Sequence, residues 1–226
     1  MTPAETSQPL AAERVAAVRN RIALAAERSG RAPDAVTLIA VSKTWPAAAV
    51  RDVLAAGVAD FGENRVQEGV AKAEELDGEA IRWHLIGHLQ TNKARAALGT
   101  FAILHAVDSE RLLRAIAAAA SAPARIMIEV NVAEEPSKFG VTPPEVASLL
   151  KVAAALPQID VRGLMTVAPH VDDAELVRPV FRGLRELAEA NGLRELSMGM
   201  TNDYEVAIEE GATFVRVGRA IFGERA

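Results

Sequence analysis

Lys43 stands at the end of an apolar run, LIAV over 38–41, with Ser42 between and Pro46 close behind. An amine at the edge of buried surface has two uses. It can carry its charge out to water along an aliphatic stem. Alternatively, partly desolvated, it gives up its proton more readily and its lone pair attacks a carbonyl. A second stretch, SMGMTND (197–203), sets Gly199 and Thr201 at a strand-to-helix turn, with Asn202 and Glu205 spaced as a capping box. A third, VRVGRAIFG (215–223), repeats the arrangement with Gly218. Helix starts expose N–H groups and glycine lets backbone approach an anion, so the two corners read as a phosphate cup; serving only as tight turns is the plainer use. An amine and a phosphate cup together suggest pyridoxal 5'-phosphate, held at its aldehyde and at its phosphate. Arg216, beside the cup, would donate to the pyridine nitrogen without giving up its proton, which weakens the ring as an electron sink. A salt bridge to a rim carboxylate is the alternative.

Other residues carry less. Asn64, in FGEN, could bond the ring hydroxyl or stabilise its own turn. His84 and His88 share a strand face in HLIGH, but no helical HExxH and no nearby carboxylate completes a set, so no metal site is expected. Lys138, in EEPSKFG, reads as a solvated loop lysine, and the helical Glu and Arg residues as an exposed face.

These positions are scattered, so a scaffold must gather them. Eight β-like runs alternate with helical segments: 36–43, 58–64, 81–88, 101–107, 124–132, 160–169, 193–200 and 213–218. The helical stretches include Ala47–Ala56, Arg65–Leu76, Glu110–Ala120, Pro144–Ala155, Ala174–Ala190 and Tyr204–Glu210. That rhythm, with strands apolar on both faces, predicts an α/β fold with a parallel sheet. Eight repeats around one core predict a single (β/α)8 TIM-type barrel preceded by an N-terminal helix, Leu10–Arg28, with a truncated last helix; an open doubly wound sheet is the competing arrangement. In a barrel, strand C-termini form the functional end, where Lys43 and both glycine corners fall.

Composition sets the bounds. The 226 residues suit one domain over 1–226, with 1–9 expected as a flexible tail. Hydrophobic residues are 50% and aromatic ones 4%, so alanine supplies much of the apolar count, as small helices on a sheet require. A net charge of -5 argues against nucleic acid as partner. The absence of cysteine excludes disulfides and thiolate metal sites. No apolar run approaches the roughly 20 residues that cross a bilayer, and the start lacks an export signal, so a cytoplasmic protein is expected.

The stretches AVSKT, FGENRVQE, WHLIGHLQTNK, VNVAEEPSKFG, GLMTVAP and SMGMTNDYEVAIEEGATFVRVGRAIFG, in this order, resemble the YggS/PROSC proteins, the pyridoxal phosphate homeostasis proteins. The resemblance runs from about the first strand to the C-terminus. It implies a barrel similar to the N-terminal one of alanine racemase. By the same resemblance, Lys43 forms the internal aldimine, Arg216 faces the pyridine nitrogen and Asn64 lies near the cofactor. Thr201 replaces the family's usual serine at the phosphate, and Gly218 with the following residue supplies backbone amides to it. Arg219 departs from the usual threonine, keeping an amide but losing a hydroxyl; His88 stands where proline is more usual. The resemblance further implies a monomer that holds the cofactor and supplies it to apo-enzymes without established turnover. A racemase draws one acid–base group from a second domain, and this chain's one tyrosine, Tyr204, is expected beside the phosphate turn. An amino-acid racemase or decarboxylase, and a class I aldolase-type enzyme, are the competing functions.

Overall fold

Short runs of β-branched and aliphatic residues become strands wherever both faces can be covered. The computed structural model describes residues 3–136 and 138–224. In it, β1 (Thr37–Val41), β2 (Asp60–Glu63), β3 (Arg82–Leu85), β4 (Ile103–Val107), β5 (Ala124–Glu129), β6 (Ile159–Met165), β7 (Glu195–Met200) and β8 (Phe214–Val217) pair in sequence order, all parallel. The last strand returns to the first, Thr37 opposite Phe214 through Ala40 opposite Val217, and closes the barrel. Closure excludes the open sheet.

Helices cover the outside: α1 (Pro3–Arg28), α2 (Ala47–Ala55), α3 (Val66–Glu75), α4 (Ala94–Leu98), α5 (Glu110–Ala119), α6 (Val146–Ala154), α7 (Arg178–Ala190), α8 (Tyr204–Glu209) and α9 (Arg219–Phe222). α1 starts at Pro3 rather than Leu10, so most of the tail expected over 1–9 is helix; Met1 and Thr2 lie outside the described residues. It packs on α2, α8 and α9, burying Val15, Val18, Ile22 and Ala26, while Arg21 and Arg28 reach Glu205 and Glu209 of α8. The strand expected to run to 132 stops at Glu129, because the Asn131 side chain bonds the backbone of Glu135 on both its oxygen and its nitrogen and turns the chain. The residues expected to open the helix at Ala174 form a 3-10 turn, and α7 begins at Arg178.

The core has two parts. The larger lies between sheet and helices, with Phe61, Leu104, Ile116, Ile128, Phe181 and Val215 fully buried. The barrel's own interior holds Ile103, Ala106, Met127 and Met165, alongside the buried polar side chains of Asp60, His84, His105, Ser197 and Arg216. That polar content sits beneath the mouth.

Candidate functional site

The strand C-termini open on a cavity of about 360 Å³. Lys43, Asn64, Thr201, Arg216, Gly218 and Arg219 all line it, as do Trp45, Ile86, Pro169, His170 and Met200. Six residues spread over 43–219 thus converge. Its size is that of a small-molecule site.

Lys43 follows β1 by two residues and is half-buried. The peptide on either side of it is clamped from α3. Lys72 donates from Nζ to the Ser42 carbonyl at 2.7 Å, and the Thr44 N–H donates to the Glu68 carboxylate. The clamp is a buried charge cluster: Lys72 Nζ also lies 2.6 Å from Glu63 Oε1 and 2.9 Å from Glu68 Oε1. Ser42 Oγ donates to the same Glu63 oxygen at 2.7 Å. Burial raises Glu63 above the usual carboxylate range, against the pull of Lys72 and Ser42. Burial would also raise Glu68, but Lys72 and the Thr44 amide hold it below that range. Thr44 takes a left-handed φ of 69°, a conformation that costs a non-glycine residue about 1 kcal/mol or more and needs such bonds to persist.

Arg216 is 4% exposed. It donates from Nη1 to Ser197 Oγ at 2.6 Å and from Nη2 to the Thr166 carbonyl at 2.8 Å. Both acceptors are neutral. Burial lowers its pKa to about 10, against the opposing charges of Glu129 and Asp203, so the guanidinium stays charged at neutral pH. Among the described residues it forms no salt bridge with a rim carboxylate. Gly218 then turns the chain from β8 into α9, and α9 is held by Trp45 stacked on Phe222 at 5.8 Å and by Arg14 donating to the Phe222 carbonyl at 3.1 Å. Arg219 is exposed and reaches Asn202 Oδ1 at 3.3 Å, tying the β8 corner to the β7 corner.

At the β7 corner Gly199 takes φ 90°, and a Cβ there would fall 2.6 Å from Ala207 Cβ. Only glycine lets α8 come this close. The expected Asn202–Glu205 capping box is not formed. Asp203 takes the N-cap position of α8 but makes no side-chain cap bond; its carboxylate turns back to accept from the Met200 N–H at 2.5 Å, and Glu205 is drawn to Arg21 and Arg28 of α1. Asn64 is half-buried after β2; its carbonyl lies so near Gly87 that a Cβ there would come within 2.5 Å.

Several expectations change. His84 and His88 do not meet: His84 is inside the barrel against His105 and Asp60, whereas His88 stacks at 4.7 Å on Phe139 and lies 3.5 Å from Asp108. Two residues with a strand end between them need not share a face. Tyr204 does not line the cavity; its ring is buried with the Arg21 guanidinium 5.2 Å from its centroid, because α8 turns that side chain toward α1. Lys138 is half-buried rather than solvated, with Nζ 3.5 Å from the Ala168 carbonyl. Sequence reasoning missed Lys72, Glu63 and Glu68, although FGENRVQE contains both carboxylates. It also missed His105 and Ser197. His105 sits on the strand beside His84, and that repetition was the available signal.

The side-chain donors lining the cavity are the amine of Lys43, the hydroxyl of Thr201, the amides of Asn64 and Asn202, the guanidinium groups of Arg216 and Arg219, the His170 imidazole and the Trp45 indole, while the carboxylate of Asp203 is engaged with backbone. Such a set suits an anionic, acceptor-rich molecule. Among the described residues no group of three or more His, Asp or Glu side chains could hold a metal.

Comparison with known proteins shows the family. The family described as alanine racemase, N-terminal domain, matches residues 14–226. A pyridoxal phosphate homeostasis protein of Aquifex aeolicus is 43% identical over 95% of this chain and 98% of its own. The structure of PipY from Synechococcus elongatus PCC7942, solved with PLP bound, superposes with TM-score 0.81 at 40% identity, covering 94% of this chain and 100% of that one. Alanine racemase from Corynebacterium glutamicum shares the fold, with TM-score 0.70 at 19% identity, over 92% of this chain and 61% of the racemase. The chain belongs to the alanine racemase N-terminal domain family and, within it, to the pyridoxal phosphate homeostasis proteins.

Proposed function

We propose that this chain binds pyridoxal 5'-phosphate covalently through Lys43, keeps it out of free solution and passes it to apo-enzymes. The observation that carries the reading is the convergence of Lys43, Arg216 and the Gly218–Arg219 corner on one cavity. When bound, the cofactor supplies an aldehyde that an amine can capture and a ring that can accept electrons. Lys43 offers the amine, held in place by the clamp on its two flanking peptides. Thr201, Gly218 and Arg219 present a hydroxyl, backbone and positive charge to a phosphate. Asn64, after β2, offers an amide to the same cavity. Arg216, charged and donor-only, would offer a hydrogen bond to a ring nitrogen placed beside it and no site for that nitrogen's proton, which would make the ring a poor electron sink.

That last property favours storage over turnover. The tyrosine that could serve as a second acid–base group packs on α1 instead. On this reading the protein works in the cytoplasm as a monomer, with apo-enzymes as transient partners.

The test is borohydride reduction of the protein purified with its visible absorbance, followed by peptide mass spectrometry. A pyridoxyl group on Lys43, absent from Lys43→Ala, is the expected result. A sugar-derived adduct would point to aldolase chemistry, and sustained deuterium exchange at the Cα of amino acids would point to a racemase or decarboxylase. Transfer is measured by activity recovered when holo-protein is mixed with an apo-aminotransferase.

A further inference from the structure

A file of buried hydrogen bonds runs through the barrel from the mouth to its opposite rim. Arg216 Nη1 meets Ser197 Oγ at 2.6 Å, and Ser197 Oγ meets His105 Nδ1 at 2.9 Å. His105 Nε2 meets His84 Nδ1 at 3.0 Å, and His84 Nε2 meets Asp60 Oδ1 at 2.9 Å. Asp60 in turn accepts from Arg82 at 2.7 and 2.8 Å. Every member except the rim arginine is nearly sealed from water: Arg216 is 4% exposed, Ser197 and His105 0%, His84 1% and Asp60 7%.

The ends decide the middle. A guanidinium donates only and a carboxylate accepts only. Asp60 therefore accepts a hydrogen bond from His84 Nε2–H, which leaves Nδ1 of a neutral His84 as an acceptor. His105 must then donate from Nε2–H, so its own Nδ1 is bare and accepts from the Ser197 hydroxyl. Ser197 keeps its lone pairs for Arg216. Every group is satisfied in this direction. Reversed, with the rings neutral, His84 Nε2 would face Asp60 lone pair to lone pair, and the Ser197 hydroxyl would lose its acceptor. An imidazolium at His105 would put a second positive charge one hydroxyl away from the buried Arg216, and burial together with His84 and Arg216 holds His105 well below the ordinary histidine range.

We infer that Asp60, His84 and His105 are positioning residues for Arg216: they form a one-way donor relay, anchored on the far side of the barrel, that fixes Ser197 as the acceptor orienting the guanidinium at the mouth. The effect on a bound cofactor rests on the reading of the preceding subsection; the direction of the relay does not.

Two measurements test it. In the first, 15N spectra of the cofactor-free protein at neutral pH report the proton on each ring, the two histidines being assigned with His84→Gln and His105→Gln. Both rings are expected as neutral Nε2–H tautomers. A proton on Nδ1 of either ring, or an imidazolium at either site, overturns the relay without reference to any ligand. In the second, His84→Leu is compared with His84→Gln, because glutamine can offer its amide N–H to Asp60 and its oxygen to His105. Pyridoxal phosphate is the probe. His84→Leu is expected to weaken its binding about tenfold and move its visible band, the loss of one oriented bond to a charged group being of that size, while His84→Gln stays within about twofold of the unaltered protein. Equal behaviour of the two variants overturns the positioning role. Failure of the unaltered protein to take up the probe, with both tautomers as expected, overturns the cofactor reading and leaves the relay standing.

Discussion

At the scale of residues, the site is governed by groups that touch nothing but its backbone and its charge. Lys72 holds the carbonyl before Lys43 and neutralises a fully buried Glu63. Removing one partner of a buried pair strands the other, at a cost of about 3–5 kcal/mol. Lys72→Met should therefore lower the urea midpoint sharply, and adding Glu63→Gln should recover part of the loss; a double variant no better than the single one would refute the pairing. Glu129 shifts in the same direction as Glu63. Burial, with Asp108 adding to it and Arg216 opposing, raises its pKa to about 7. Between the ordinary carboxylate pKa and that value the folded chain binds a proton that the unfolded chain has released, so stability falls as pH rises through the window, by up to about 3 kcal/mol. Urea unfolding at about pH 5 and about pH 8 should show this loss. Glu129→Gln should flatten it, and an unchanged slope would locate the titration elsewhere.

At the scale of elements, the corners after β7 and β8 depend on close approach. Gly199 has φ 90° and no room for a Cβ, with Tyr204 Cα 2.8 Å from where it would lie. Gly199→Ala should cost about 1–3 kcal/mol in thermal unfolding and loosen the β7 corner, measured as faster loss of bound pyridoxal phosphate on dialysis. A variant equal to the parent in both would show that α8 can shift. Element existence was largely legible: every strand and the helices from Ala47, Glu110 and Tyr204 lie where the apolar runs and patterns set them. α4 escaped because Ala94–Leu98 is five residues, too short for a period of 3.6 to declare itself. The capping box misled because the spacing of Asn202 and Glu205 was right while α1, distant in sequence, offered Glu205 two arginines.

At the scale of the whole molecule, ligand and fold are linked. A ligand bound only by the folded chain stabilises it by RT ln(1 + [L]/Kd), about 2.7 kcal/mol at a hundredfold excess over Kd. Pyridoxal phosphate should raise the melting temperature of the protein, and most of that rise should vanish in Lys43→Ala. A shift of equal size in both proteins would place the stabilising contact away from the amine. Such linkage is expected of a barrel whose mouth is assembled from the ends of its first, second, third, sixth, seventh and eighth strands, since occupancy of the cavity ties together the two sides of the closure.

Local patterning alone determined the alternation of strand and helix, the burial of strands on both faces, the amine at a strand end and the glycines at the last two corners. Each of these is written within a few consecutive residues, where steric and hydrophobic preferences act directly. Tertiary structure alone decided which polar side chains face one another inside the barrel. His105 and Ser197 are 92 positions apart, and His84 and Asp60 are 24 apart. Their meeting depends on the tilt and stagger with which eight strands close, a property of the whole ring that no single strand contains.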